Sequence, residues 1–180
     1  TEPVTSLQHV HGANKLKVGD QDIIARSVII CTGARYKKLG LPNEDFLTGK
    51  GVSYCALCDG NFFRNQTVAV VGGGNSALEE SLYLAKLVKK LYLIHRREGF
   101  RAVKHYQDKI NASPVIEVVK NTIVKELHGE NGLTGVLVKN LKTEEEQVLP
   151  VDGLFVFVGY EPNKELLPDG LQTDETGFIL

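Results

Sequence analysis

The chain of 180 residues contains no methionine and no tryptophan, and only three cysteines. It also lacks an excess of either charge, since 21 Lys plus Arg stand against 22 Asp plus Glu. That near-neutral balance removes the bulk attraction on which binding to nucleic acid or an anionic membrane surface depends. No apolar run approaches the roughly 18 residues needed to cross a bilayer. The opening stretch, with Pro3, Glu2 and Gln8, has no secretory apolar core. These absences point to a soluble, cytoplasmic protein with no nucleic-acid or membrane partner. Three cysteines, an odd count, are too few for a secreted disulfide scaffold. The missing initiator Met and the apolar end Gly177–Leu180, which has nothing to pack on, lead us to expect a piece of a longer chain.

What is present reads as an α/β pattern. Leu16–Val18, Ile23–Ala25 and the strongly apolar Val28–Cys31 are expected strands, and Cys31 is expected to be a small buried hydrophobe. A polar connection with Gly and Pro follows from Tyr36 to Asn43. Thr67–Val71 is a short strand that runs directly into Gly72-Gly73-Gly74. After it, Ala77, Leu78, Leu82, Leu84, Ala85 and Val88 recur at helical spacing. Leu91–Ile94 is the next strand, and Ala102, Val103, Tyr106 and Ile110 mark a second helix, stopped by Ser113-Pro114. From Val115 onward, Val115–Val119, Thr122–Leu127, Leu133–Val138, Gln147–Val151 and Leu154–Val158 are strands separated by turn clusters. The whole predicts a Rossmann-like βαβ core with an appended β-meander.

Strand, Gly72-x-Gly74-x-x-Ala77, then helix is a dinucleotide fingerprint in the context it needs. Gly72 allows the tight turn, Gly74 lets backbone approach a pyrophosphate, and Ala77 lets the helix sit close to the strand. The helix start then offers free N–H groups and the positive end of its dipole. The alternative is an ordinary glycine-rich turn in which Ser76 and Glu79 form a capping box. The next strand ends in His95-Arg96-Arg97, with Arg101 one turn on, where an NAD enzyme usually has an acid for the ribose 2′-hydroxyl. Guanidinium groups there favour a 2′-phosphate, so NADPH is the expected cofactor. A solvated basic cluster is the other reading.

Cys55-Ala56-Leu57-Cys58 is a candidate dithiol–disulfide couple, with Asp59 beside it as the candidate proton shuttle. Asp59 can also be read as a turn residue before Gly60. A zinc site would need two more ligands at suitable spacing, and no second half-site is present, so no metal is expected.

Taken together, Thr32-Gly33-Ala34, Cys55 to Gly60, Gly72-Gly73-Gly74-Asn75-Ser76-Ala77, His95-Arg96-Arg97 and Gly159-Tyr160-Glu161-Pro162-Asn163 closely resemble the low-molecular-weight thioredoxin reductases. The resemblance implies a three-layer FAD/NAD(P)-binding fold, here a fragment of a two-domain flavoprotein reductase. It implies that residues 1–35 and 159–180 belong to an FAD-binding domain and 36–158 to an inserted NADPH domain, hinged near Gly33 and Gly159. It places Gly72, Gly74, Asn75, Ser76, Ala77, His95, Arg96, Arg97 and Arg101 at NADPH. Electrons would pass through FAD to Cys55–Cys58, Asp59 supplying a proton, and on to thioredoxin or a related redox protein. The full-length protein would be a homodimer. The 180 residues alone would bind NADPH but neither hold FAD nor turn over. The flavoprotein subunit of alkyl hydroperoxide reductase, and a binding-only dinucleotide module, remain alternatives.

Overall fold

The computed structural model describes residues 2–180, which divide into two compact units: residues up to Arg35 together with Tyr160–Leu180, and Tyr36–Gly159. In the first, β1 (Val4–Val10), β2 (Ala13–Val18) and β3 (Gln21–Ala25) form an antiparallel sheet in that order. Val10 pairs with Ala13 across a two-residue turn in which His11 and Gly12 both have positive φ, 50° and 78°. Such a turn matches the twist of its flanking strands. The sequence suggested β2 and β3 but not β1, whose polar residues hide its alternation.

One expectation fails in this unit. Val28–Cys31 is not a strand, Ile29 is 88% exposed, and Cys31 is an exposed free thiol rather than a buried hydrophobe. A fully buried strand needs neighbours that pair with it and layers that cover it. Among the described residues this segment has no pairing strand. A short strand β4 (Ala34–Tyr36) closes the stretch.

The second unit is a three-layer sandwich. After helix α1 (Glu44–Leu47) come β5 (Val52–Ser53), the helical turn α2 (Ala56–Asp59), β6 (Thr67–Gly72), helix α3 (Asn75–Leu84), β7 (Lys90–His95), helix α4 (Lys104–Ala112) and β8 (Ile116–Lys120). The meander β9 (Thr122–His128), β10 (Gly135–Asn140), β11 (Glu146–Pro150) follows, and β12 (Gly153–Phe157) completes the unit. Strands order as β5-β12-β6-β7-β8 in one sheet, with every neighbour parallel. Parallel neighbours need crossover connections, which α3 and α4 supply.

Both faces of this sheet are covered, which explains its unbroken apolar strands. Val68, Val70, Leu91, Leu93 and Phe155 pack with Ala77, Leu78, Leu84 and Ile110 of the helices. The residues between them, Ala69, Ile94, Leu154 and Val156, pack with Val124, Leu127, Val136, Val138 and Leu149 of the meander. The apolar stripe that runs to Val88 outlasts its helix: α3 stops at Leu84, and the N–H groups of Leu87 and Val88 turn back to the Leu84 carbonyl. Ala102 and Val103 likewise precede α4 rather than belong to it.

The chain then returns to the first unit, where β13 (Tyr160–Pro162) pairs with β4. Two stretches 131 residues apart are stitched there: Thr32 Oγ1 donates to the Asn163 carbonyl and Asn163 Nδ2 to the Thr32 carbonyl, each at 2.8 Å. Arg35 bonds Glu161 at 2.6 Å and Glu165 at 3.0 Å. Among the described residues no helix is long and apolar enough to cross a membrane.

Candidate functional site

The glycine-rich turn between β6 and α3 is built by close approach. At Gly72, with φ 158°, a Cβ would lie 2.5 Å from both the Phe157 carbonyl oxygen and Ala77 Cβ. At Gly73 a Cβ would lie within 2.2–2.7 Å of the His95 ring. At Gly74 it would meet nothing within 4 Å, so the space in front of that residue is open to a ligand. Ala77 is 1% exposed and sits against the strand, where a larger side chain would push α3 away.

The capping-box reading fails. Gly74, not Ser76, is the N-cap of α3, and no side chain caps the helix. The helix starts two residues before that reading requires, so Ser76 lies inside its first turn. Its first N–H groups therefore remain for another acceptor, and a pyrophosphate is the natural one.

The end of β7 is joined directly to this turn. The Gly73 carbonyl accepts the N–H groups of Arg101 at 2.8 Å and Ala102 at 3.3 Å. Asn75 Oδ1 accepts the Val103 N–H at 2.9 Å, so its side chain clamps the two loops together. Arg96, Arg97 and Arg101 are all exposed, and none forms an ion pair among the described residues. The carboxylate in their midst, Glu98, is engaged elsewhere: Lys142 bonds it at 2.5 Å and Asn121 Nδ2 at 2.9 Å, holding its pKa down at about 2. Three free guanidinium groups beside an uncapped helix start suit an anion of more than one phosphate.

His95 is placed differently from its neighbours. It is 7% exposed, its ring stacks on Phe100 at 5.1 Å beneath Gly73, and Nε2 lies 3.1 Å from the Gly99 carbonyl. Burial, against the pull of the Gly99 and Gly72 carbonyls, lowers its pKa, so the ring is neutral near pH 7. Its position supports the glycine turn from below rather than joining the arginines.

The cysteine pair lies in the same unit. Cys55 and Cys58 are joined as a disulfide with Cα atoms 5.3 Å apart. Cys55 is the N-cap of α2, and the Cys58 N–H points to its sulfur at 3.1 Å, a hydrogen bond suited to hold a thiolate. Cys55 is half-buried and Cys58 exposed, with the exposed Leu57 between them. Asp59 is the last residue of α2, and its carboxylate accepts the Ser53 hydroxyl at 2.6 Å. Gly60 follows because a Cβ there would lie 2.9 Å from Leu84, so α2 can rest close on α3. No cluster of three or more metal-ligating side chains occurs among the described residues.

Two residues were missed from sequence. Ser53 is one. Glu44 is the other: 2% exposed, it accepts N–H groups of Leu39, Gly40 and Leu41 at 2.9, 2.8 and 3.2 Å, and the Tyr54 hydroxyl at 2.8 Å. Burial and this carboxylate push the Tyr54 pKa well up. The signal was present, though weak: a Gly-Leu-Pro loop whose N–H groups need an acceptor, followed after Asn43 by an acid.

Comparison with known proteins points to one family. A thioredoxin reductase of Streptomyces coelicolor is 44% identical over 155 residues, covering 86% of this chain and 48% of the relative. One from Treponema pallidum is 41% identical over 179 residues, covering 99% and 58%. The crystal structure of Lactococcus lactis thioredoxin reductase superposes with a TM-score of 0.89 at 37% identity, covering 99% of this chain and 59% of that one. The chain thus spans about half the length of the relatives it matches. A family signature matches residues 2–180 end to end, and by it the chain belongs to the pyridine nucleotide-disulphide oxidoreductase family.

Proposed function

We propose that this chain is the NADPH-binding, disulfide-bearing part of a cytoplasmic thioredoxin reductase, a homodimer in its full-length form. The observation that carries the reading is that one compact unit, Tyr36–Gly159, holds both the free arginine cluster at a glycine-rich helix start and the Cys55–Cys58 disulfide. Residues 36–158 are the NADPH domain in this reading, and the flanking stretches 1–35 and 159–180 belong to an FAD-binding domain.

Gly72, Gly74 and the first N–H groups of α3, at Asn75, Ser76 and Ala77, would hold the pyrophosphate. Arg96, Arg97 and Arg101 would hold the 2′-phosphate, with Asn75 and His95 fixing the two loops. FAD, when bound, supplies the relay of two electrons from nicotinamide to disulfide. Among the described residues there is one glycine-rich strand-to-helix turn, and it is assigned to NADPH. Two electrons and two protons convert the Cys55–Cys58 bond into two thiols, Asp59 delivering a proton to a departing sulfur. A thiolate of the pair then attacks the disulfide of thioredoxin, and the second cysteine resolves the mixed disulfide, restoring Cys55–Cys58. The 180 residues by themselves bind NADPH without turnover.

Single Cys55→Ser and Cys58→Ser chains test the redox half. Incubated with oxidised thioredoxin, one of the two is expected to accumulate a mixed disulfide visible on a non-reducing gel. Formation by neither, while a small aromatic disulfide reacts with both, would remove thioredoxin as partner.

A further inference from the structure

Ser53 is the last residue of β5, it is 4% exposed, and it is held in the parallel sheet opposite Phe155 of β12. Its hydroxyl joins the two ends of the cysteine turn. Oγ donates to Asp59 Oδ2 at 2.6 Å and accepts the Cys55 N–H at 3.1 Å. Oγ also lies 3.3 Å from the Cys55 carbonyl, but a hydroxyl has one proton, and the shorter, charge-assisted bond to the carboxylate takes it. No other side chain from the sheet is bonded to Asp59 among the described residues.

We propose that Ser53 is a positioning residue for the proton donor of the disulfide, holding the Asp59 carboxylate in place beside the cysteine turn. This rests on the reading of Asp59 given above. When the disulfide opens, the Asp59 acid gives its proton to the departing sulfur. The carboxylate it becomes is the form to which the Ser53 hydroxyl donates, so the hydrogen bond strengthens as the proton leaves. Ser53 is paired into the parallel sheet beside β12, whereas α2 is a single turn, so the orientation of Asp59 is set from the strand.

Other groups that titrate nearby are few. The two cysteine sulfurs share α2 with Asp59. Glu79, Glu80, Tyr83 and Lys86 of α3 and Tyr106 and Lys109 of α4 line the pocket beside Leu57, and the 3-10 turn Gly60–Phe63 carries no titratable side chain. Their titrations are separated from that of Asp59 by an Asp59→Asn control.

The test is the rate at which a water-soluble phosphine reduces the Cys55–Cys58 disulfide of the 180-residue chain, followed against pH. In that reaction phosphorus bonds to one sulfur, the S–S bond breaks, and the other sulfur leaves and is protonated. Water then releases phosphine oxide and the second thiol. The unaltered chain is expected to show a limb that Asp59→Asn removes. Without the Ser53 hydroxyl the carboxylate is no longer held beside the cysteine turn, so Ser53→Ala should lower the height of the limb several-fold. Ser53→Thr, which keeps the hydroxyl, should restore it. A limb of unchanged height in a folded Ser53→Ala chain would overturn the proposal and leave the reading of Asp59 intact. A limb that survives Asp59→Asn would overturn both. Should Ser53→Ala not fold, the Ser53 hydroxyl proton of the unaltered chain decides by NMR. A slowly exchanging resonance supports the proposal, and one that exchanges freely overturns it.

Discussion

Replacing Glu44 with alanine should lower the stability of the chain by about 3–5 kcal/mol, the range for removing one partner from a buried charged network. Three backbone N–H groups, at Leu39, Gly40 and Leu41, and the Tyr54 hydroxyl would lose their acceptor together. A fully buried donor left unpaired costs about 1–3 kcal/mol, and these part-buried donors cost less because water can reach them. Relief from burying a carboxylate and entry of water offset part of that sum. Against a typical domain stability of about 5–15 kcal/mol the loss is large. Glu44→Gln keeps a carbonyl acceptor and should fall between the two, and Tyr54→Phe, which removes one donor, should cost about 1 kcal/mol. Urea unfolding midpoints followed by circular dichroism measure all three. A Glu44→Ala midpoint equal to that of the unaltered chain would show that the loop does not depend on the carboxylate.

The consequence reaches the redox site, since Tyr54 immediately precedes Cys55. The Tyr54 ring also stacks on Tyr36 at 5.7 Å. The Glu44 network therefore ties the loop at residues 39–41 to the segment that presents the disulfide.

Removing two arginines should have the other large effect. An Arg96→Ala, Arg97→Ala chain is expected to bind 2′,5′-ADP roughly 100-fold more weakly than the unaltered chain, while its affinity for 5′-AMP changes little. Charge-assisted hydrogen bonds contribute about 1.5–3 kcal/mol each when well made, and solvent exposure reduces that for both residues. A combined loss of about 2.7 kcal/mol corresponds to the 100-fold change. Because both side chains are exposed and form no ion pair, their removal should leave the unfolding midpoint in place. Calorimetric titration reads both ligands. Equal weakening of the two would mean that the arginines act on the nucleotide as a whole and not on the 2′-phosphate.

The parts of this molecule that sequence made legible are those where a local pattern has a local cause. The turn Gly72 to Ala77 needs small residues at fixed offsets, and each offset is visible in the chain. The parallel strands read as apolar runs because both of their faces are covered within the same unit. Val28–Cys31 shows the limit of that logic: an apolar run predicts a buried strand only where other segments pair with it and cover it. The roles of Ser53, Glu44 and His95 depend on partners fixed by tertiary structure. Glu44 accepts from a loop that precedes it and from a tyrosine that follows it. His95 was read with the arginines because it adjoins them in sequence, yet strand alternation turns its ring inward beneath Gly73.

Calorimetric titration of the unaltered chain with NADPH and then with NADH tests the central claim most directly. Both nucleotides share the pyrophosphate and nicotinamide, so the difference between them isolates the 2′-phosphate beside Arg96, Arg97 and Arg101. NADPH is expected to bind stoichiometrically and at least about 10-fold more tightly than NADH, a gap of about 1.4 kcal/mol that narrows as salt is raised. Equal affinities for the two nucleotides, or binding of neither, would contradict it.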